Sequence, residues 1–310
     1  MHHFLFEFIT GGGLSGQDVP ESLFNEGELM LRTLVNELTE VGHSDISVCR
    51  DKRFKLNLAC AEVHDVEKAN LAEKLSELLT HSDVAWLIAP ETDGCLYSLA
   101  RLFVESGKVF IGSSPGAIKL STSKLLTYKI LTENNINTIE TCVLGEGVPE
   151  SDTGWLVKPD DGVGSEGCLY VKDKKELAKY VAKDKNHNLL VQPYIAGELM
   201  SMSLLVLDND VRLLACNKQY VELDSNKVNL KAIGVNECLS YKDKMLSIAR
   251  NIIKKINGFA GYIGIDVIAA NDELYVLDIN PRFTTAYAGL SESLNFNVAV
   301  EILNTFTTNK

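Results

Sequence analysis

The chain offers little to the common routes to metal binding, covalent catalysis or nucleic-acid recognition. None of its seven cysteines (49, 60, 95, 142, 168, 216 and 238) stands in a C-x-x-C pair. An odd, widely spaced set of this kind reads as reduced thiols in a cytoplasmic protein. The six histidines, at 2, 3, 43, 64, 81 and 187, recur at no metal-ligand spacing. Positive charge is scarce, with 30 Lys and Arg against 42 Asp and Glu and a net charge of -12. That argues against a nucleic-acid surface and leaves any bound phosphate to a few placed lysines. No apolar run approaches membrane-spanning length. The apolar start, Phe4 to Ile9, is too short for a signal peptide and leads straight into glycines, so it reads as a first buried strand. What remains is an ordinary soluble globular composition, 45% apolar and 23% charged over 310 residues, long enough for two or three lobes.

The stretch around which the rest is organised lies near the C-terminal end. Two β-rich runs, Gly261 to Ala270 and Leu274 to Ile279, flank the polar break Asn271-Asp272-Glu273, a pattern that predicts a hairpin. One run carries Asp266; the other carries Asp278 and is followed by Asn280 and Arg282. Together these are the raw material of a Mg²⁺-phosphate site. Register decides whether they meet. A two-residue turn at Asn271-Asp272 pairs Asp266 with Leu277 and sends Asp278 to the other face. A three-residue loop, Asn271 to Glu273, sets Asp266 opposite Asp278, with Cβ atoms about 4.5–5.5 Å apart, and Asn280 opposite Gly264. Two like charges at that distance repel unless a cation lies between them, and Mg²⁺ is usually held by one or two carboxylates plus substrate phosphates. Asp is disfavoured inside strands, so the three-residue loop is the expectation, against the plainer reading in which both Asp face water.

The first third alternates strand and helix. Phe4 to Ile9, Ile46 to Arg50, Val84 to Ala89 and Val109 to Gly112 read as strands. Leu31, Leu34, Val35 and Leu38, then Leu71, Leu75, Leu78 and Leu79, then Leu96 to Glu105 mark helices, an alternation that predicts a parallel sheet covered on both faces. The loop Gly11-Gly12-Gly13-Leu14-Ser15-Gly16 matches G-x-G-x-x-G literally, but Gln17 to Pro20 intervene before helical periodicity begins. A substrate-facing glycine turn at Gly11, Gly12 and Gly13 is therefore preferred to nicotinamide binding. Glu91 and Asp93 lie in a loop at a strand's C-terminal end, where ligands of open α/β sheets bind; Asp93 as a cap on the following helix is the equal alternative.

After Gly112, Ser113 to Ala117 reads as a linker. Lys124 falls in the first turn of a helix beginning near Ser123, where a cation opposes the helix dipole and an anionic partner explains it better. Lys158, inward on the strand Trp155 to Pro159, wants the same. The loop Asp160 to Gly167, with Gly162, Gly164, Ser165 and Gly167, can aim backbone N–H groups at phosphate and suits a mobile lid; it lacks the Gly-Lys-Ser/Thr ending of a Walker A loop. Two long strands, Leu199 to Leu207 and Val211 to Leu223, carry Asn217-Lys218-Gln219. A helix with Met245, Ile248, Ala249, Ile252, Ile253 and Ile256 reads as core, and a last helix spans about Asn295 to Thr305.

The ordered set Ser123-Lys124, Val157-Lys158-Pro159 with its glycine loop, Gln192-Pro193-Tyr194-Ile195 to Glu198, Asn217-Lys218-Gln219, Asp266 and Asp278 to Arg282 resembles the ATP-grasp superfamily over nearly the whole chain. More narrowly, Glu7 to Gly13, Ala89 to Gly94, Asn217 to Gln219 and Asn280 to Leu290 resemble the tyramine-glutamate ligase group of methanofuran biosynthesis. The resemblance implies an α/β chain of α+β lobes, an ATP-grasp fold preceded by a Rossmann-like pre-ATP-grasp domain. It divides the chain into a substrate domain at 1–113, a small lobe with the lid at 114–191 and a large lobe with the acidic hairpin at 192–310. It implies that Lys124 and Lys158 bind ATP phosphates under the Gly162 to Gly167 loop, and that Gln192, Tyr194 and Ile195 hold adenine and Glu198 the ribose. Asp266, Asp278 and Asn280 then hold one or two Mg²⁺ ions, with Mn²⁺ as a substitute, and Lys218 and Arg282 stabilise the γ-phosphate and an acyl-phosphate. Family members usually carry Glu at the position of Asp278, and many carry Glu at that of Gln192.

These groups suit activation of a carboxylate by ATP and capture of the acyl-phosphate by an amine, with glutamate and a tyramine-like amine as the expected small-molecule partners. A lid that excludes water is required by so hydrolysable an intermediate. Another amino acid pair, as in a D-alanine-D-alanine-like ligase, and a small-molecule kinase stay open as alternatives. So does the oligomeric state, a homodimer included.

Overall fold

A computed structural model describes residues 1–55, 58, 60–162, 167–182, 184, 188–208 and 210–307. Gly164 and Ser165, both expected phosphate ligands, lie outside the described residues.

The alternation read from the first third builds a parallel sheet. Its strands are β1 (His3–Glu7), β2 (Ile46–Asp51), β3 (Glu62–Val66), β4 (Val84–Ile88) and β5 (Val109–Ile111), in the spatial order β3-β2-β1-β4-β5. The connecting helices are α1 (Glu21–Glu40), α2 (Leu71–His81) and α3 (Cys95–Glu105). Leu31, Leu34, Val35 and Leu38 of α1 are buried against one face, and Leu75, Leu78 and Leu79 of α2 with Phe103 of α3 against the other. The order reverses between β1 and β4, and it is there, outside the strand ends, that such sheets bind ligands. The glycine turn after β1 and the loop carrying Glu91 after β4 flank that point. Expected strands and helices here lie where their periodicity put them; β3, half-exposed at the sheet edge, gave no apolar signal.

The segment expected as a linker is instead a helix, α4 (Pro115–Thr122). Ser114 accepts the Ala117 N–H at 3.2 Å as its N-cap and Pro115 takes the first turn, so the Ser-Pro pair that suggested a linker is a helix start. Next come α5 (Lys124–Glu133), capped by Ser123, β6 (Cys142–Val143), β7 (Trp155–Pro159), β8 (Leu169–Val171), α6 (Lys174–Val181) and β9 (Leu189–Pro193). The long strands β10 (Glu198–Leu207), β11 (Asp210–Asp224) and β12 (Lys227–Gly234) lead through α7 (Lys242–Lys255) to β13 (Gly261–Ala270) and β14 (Glu273–Asn280). The short α8 (Leu290–Leu294) and α9 (Val298–Thr307) follow.

Among the described residues β6 to β14 form one sheet in the order β14-β13-β10-β11-β12-β8-β7-β9-β6. Its ladder is thin where β12 meets β8: one register pair, Lys227 with Leu169, flanked by the Asn226 carbonyl accepting Tyr170 N–H at 2.8 Å and the Cys168 carbonyl accepting Val228 N–H at 3.3 Å. One face of β10, β11, β13 and β14 buries Met200, Met202, Ile263 and Val267 with Met245, Ala249 and Ile252 of α7. The other joins the parallel sheet through Trp86, Tyr262, Phe283 and Tyr287, whose rings stack edge and face with centroids 4.7–6.3 Å apart. Glu37 of α1 rivets this joint, its two oxygens accepting from Ser291, Tyr287 and the Ala299 N–H.

Candidate active site

Asp266 and Asp278 are register partners across β13 and β14, and Gly264 pairs with Asn280, as expected. The route to that register is different. Asn271 and Asp272 both take left-handed backbone (φ 51° and 64°) and Ala270 pairs with Glu273, so the loop is a two-residue turn of the I′ kind, not the expected three-residue loop. Unaided, that turn would set Leu277 against Asp266. A β-bulge between Asp266 and Val267 takes up the extra residue, with Val267 paired to Val276, and brings Asp278 round.

Each carboxylate already attracts donors. Asp266 accepts from Gln219 Nε2 at 2.7 Å and Asn280 Nδ2 at 3.0 Å. Burial, and next the negative charge of Asp278, push its pKa up from 3.8 to about 6. Asp278 Oδ2 lies 3.1 Å from Lys124 Nζ, and its Oδ1 accepts the Ile279 N–H. Two Asp oxygens and the Asn280 side-chain carbonyl are hard donors suited to Mg²⁺, and ammonium and amide groups now stand where a cation would draw on the same oxygens. No group of three or more His, Cys, Asp or Glu able to hold a metal exists among the described residues, so such an ion would need phosphate oxygens to complete its shell.

Lys124 also donates to the carbonyl of Gly162 at 2.6 Å, while Leu125 N–H is held by Asp160 Oδ1. The lysine thus ties the root of the glycine loop to the acidic pair. Burial alone would depress its pKa, but the charge and hydrogen bond of Asp278, with Glu91 and Asp160 behind, raise it. Lys158, on β7, has no hydrogen-bond or ion-pair partner among the described residues; burial, and then the charge of Lys124, lower its pKa. Two lysines so close form a receptor for polyanions.

Arg282 donates through Nε to Glu91 Oε2 at 2.7 Å and through Nη1 to the Phe283 carbonyl. Burial would lower its pKa; Glu91, Asp278 and Asp266 raise it. Glu91 therefore belongs to the acidic hairpin's surroundings although it stands on the parallel sheet. Its Oε1 is buried without a partner, unlike both oxygens of buried Glu7, which accept from Ile9 N–H, Thr10 N–H and Thr10 Oγ1. Asp93, exposed and left-handed (φ 54°), caps nothing through its side chain at α3; its N–H donates to Asp161 Oδ2 at 3.0 Å.

Other expected residues lie apart. Ser201 pairs with both Asn217 and Asp266, whereas Met200 pairs with both Lys218 and Val267. Lys218 thus projects from the α7 face, opposite the acidic pair, and its Nζ lies 2.8 Å from Glu198. Gln219, part of the Asn217-Lys218-Gln219 motif but given no role of its own from the sequence, reaches the acidic face because it is one residue further on. Gln192 is buried and donates to Thr141 Oγ1 at 2.7 Å. Tyr194 and Ile195 are half-buried, with the Tyr194 ring edge-on to Tyr170 at 5.1 Å. Gly167 has φ +70° and packs on Pro159. Gly11, Gly12 and Gly13 are tightly enclosed: a Cβ on Gly11 would sit 2.3 Å from the Glu7 carbonyl and one on Gly13 2.3 Å from the Phe8 ring. That packing is enough to require glycine at Gly11 and Gly13.

Residues 121–286 match the ATP-grasp domain family, and residues 44–118 the pre ATP-grasp 3 domain family. The tyramine–L-glutamate ligase of Methanocaldococcus fervens is 29% identical over 295 residues, which cover 92% of this chain and 88% of that protein. Among solved structures, an ATP-grasp superfamily protein from Archaeoglobus fulgidus superposes with a TM-score of 0.78 at 23% identity, over 98% of this chain and 88% of its own. The biotin carboxylase domain of the 2-oxoglutarate carboxylase of Hydrogenobacter thermophilus, crystallised with MgADP and bicarbonate, superposes with a TM-score of 0.75 at 14% identity, over 99% and 70%. At those identities the two structures speak for the fold alone.

Proposed function

Because this chain belongs to the ATP-grasp family, we propose that it is an ATP-dependent carbon–nitrogen ligase joining glutamate to tyramine or a similar aromatic amine, a step of methanofuran-type cofactor biosynthesis in the cytoplasm. The observation that carries the reaction type is the facing pair Asp266 and Asp278 with Lys124, Lys158 and Arg282 gathered about it. The substrate pair rests on the likeness to the Methanocaldococcus fervens enzyme.

In this reading Lys124 and Lys158 bind the ATP phosphates, and the lysine now on Asp278 exchanges that carboxylate for phosphate oxygen. Asp266, Asp278 and Asn280 would hold Mg²⁺, which when bound would neutralise charge on the phosphates; Asn280 Nδ2 now donates to Asp266, so its amide would turn to present its oxygen. Gln219 keeps Asp266 in place. A glutamate carboxylate oxygen attacks the γ-phosphorus, the bond to the bridging oxygen breaks and ADP leaves. Arg282 meets the charge that develops on the transferring group. The amine nitrogen then attacks the acyl carbon, phosphate departs with the bond it held, and the amine's proton passes to solvent. Glu91 Oε1, buried and unpaired, accepts from the amine N–H. Glu198 serves the ribose, Gln192, Tyr194 and Ile195 line the adenine end, and the Gly162 to Gly167 loop keeps water from the acyl-phosphate.

The test is an ADP-release screen of amino acids against amines, with the mass of the ligated product. Glutamate with tyramine should give stoichiometric ADP and amide, and Asp278→Asn, which removes charge without volume, should abolish both while the protein stays folded. A phosphorylated product that accumulates without amine would make the protein a kinase.

A further inference from the structure

Three glutamates are buried in the parallel-sheet half, and two of them, Glu7 and Glu37, spend both oxygens inside the fold. Glu91 spends one, and on a residue 191 positions away: its Oε2 takes Arg282 Nε at 2.7 Å, with side-chain exposures of 6% and 14%. Arg282 is held at a second point, since Nη1 donates to the Phe283 carbonyl at 2.9 Å. A planar guanidinium fixed at Nε and Nη1 cannot turn about its long axis, and Nη2, without a partner among the described residues, is the edge open to a ligand. The loop that bears Glu91 is gripped from the other side too, where Asp161, at the root of the glycine loop, accepts the Asp93 N–H at 3.0 Å. One short loop of the parallel sheet therefore touches the lid's root and the arginine beside the acidic hairpin.

We propose that Glu91 is the positioning residue of Arg282: a carboxylate delivered from the other sheet that sets the plane in which the guanidinium's free edge meets the transferring phosphoryl group. The inference rests on the ligase reading only for what Arg282 meets, not for how it is held. A side chain anchored to a different body from the residue it orients makes catalysis depend on how the two bodies are seated, and a misplacement of about 1 Å at a reacting group can cost about a hundredfold in rate.

The experiment compares wild-type protein with Glu91→Gln, which keeps the shape and removes the charge. Phenylglyoxal labelling followed by peptide mass spectrometry reads Arg282 directly, and Arg50, buried and paired with Glu28, is the internal control. Arg282 should label several-fold faster in E91Q, with Arg50 and the melting temperature little changed. For the amino acid and amine that wild type accepts, kcat for ADP release should fall about 10–100-fold with KM for ATP steady. In kcat, read at saturating amine so that any loss of amine binding drops out, the double variant E91Q/R282K should be no slower than R282K, because residues acting through one another are not additive. Arg282 labelling at the wild-type rate, or rate losses that multiply, would overturn the proposal. Should E91Q unfold, Glu91→Asp makes the same comparison with the charge kept and the contact lengthened. A wild type that releases no ADP with any pair would sink the ligase reading, and the labelling arm would still decide this one.

Discussion

Asp266 and Asp278 face one another because the strand between the turn and Asp278 holds one residue more than the strand it pairs with. The two-residue turn alone would point Asp278 into the α7 core, where an ionised carboxylate has no partner. The bulge spends a ladder hydrogen bond to keep both acids on one face. A bulge beside an active site is a common way of re-aiming a side chain.

The turn itself is open to test. Asn271 and Asp272 both hold positive φ, a conformation that costs most residues about 1–2 kcal/mol and glycine almost nothing. Asp272→Gly should stabilise the protein by about 0.5–1 kcal/mol, read as a higher urea midpoint, with turnover unchanged. Lys244 Nζ donates to the Asp272 carbonyl, which glycine retains. A loss of stability would mean that the turn is not of this type.

The proposed metal site should titrate. Asp266 is held at about 6, well above 3.8, by burial and then by Asp278. A carboxylate raised in the folded state favours the fold while protonated. Its contribution is full below 3.8 and is lost as pH rises through 6. Metal-free protein should therefore lose melting temperature over that window relative to Asp266→Asn. Mg²⁺ has the opposite slope, since it needs the ionised ligand. The affinity for Mg·ADP should tighten with pH up to about 6 and then level, by about tenfold per unit where one proton is displaced. The nucleotide titrates in both proteins, so the difference between wild type and Asp266→Asn isolates the side chain, and identical slopes would refute its role.

Lys218 separates two ends of the nucleotide. Paired with Glu198 on the face away from the acids, it is placed to steady the residue proposed for the ribose rather than the γ-phosphate. Lys218→Met should raise KM for ATP more than it lowers kcat, and Glu198→Gln should do the same. The pair is about a third exposed, so neither change should move the melting temperature appreciably. A collapse of kcat at saturating ATP would return Lys218 to the chemistry.

Much of this was legible in the residues, and the gaps have physical causes. Period-2 alternation carries no record of a bulge, because one extra residue shifts every later side chain. The sequence therefore named Asp266, Asp278 and Asn280 as partners while the loop inferred to join them was a residue too long. Face is equally invisible within Asn217-Lys218-Gln219: charge drew the eye to Lys218, but only the register with Ser201 reveals that Gln219 reaches Asp266. Glu91 and Arg282 lie too far apart in sequence for spacing to join them. The glycines after β1 carry a second signal that the sequence could not separate from ligand chemistry: a Cβ at Gly11 or Gly13 would collide with Phe6, Phe8 or the Glu7 carbonyl.

The substrate pair is the sharpest claim. Glutamate presents a carboxylate to activate, and its own ammonium and second carboxylate to be recognised. Tyramine presents one amine and an aromatic ring with no competing acid, so a site that holds each in its place cannot confuse donor with acceptor. Glu91 Oε1 is the buried acceptor available for the amine N–H, and a charge-assisted bond there is stronger than a neutral one. Glu91→Gln replaces an acceptor-only group with one that can also donate, so the apparent KM for tyramine should rise about tenfold, that for glutamate less, and that for ATP hardly at all. Steady-state ADP release with each substrate varied in turn gives the three constants. If tyramine and tyrosine both leave ADP release at background while a different pair, such as two alanines, stimulates it, the aromatic-amine assignment is wrong and the ligase chemistry stands. If KM for ATP rises with the others, Glu91 faces the nucleotide instead, and the amine must be held elsewhere on the parallel sheet's C-terminal edge.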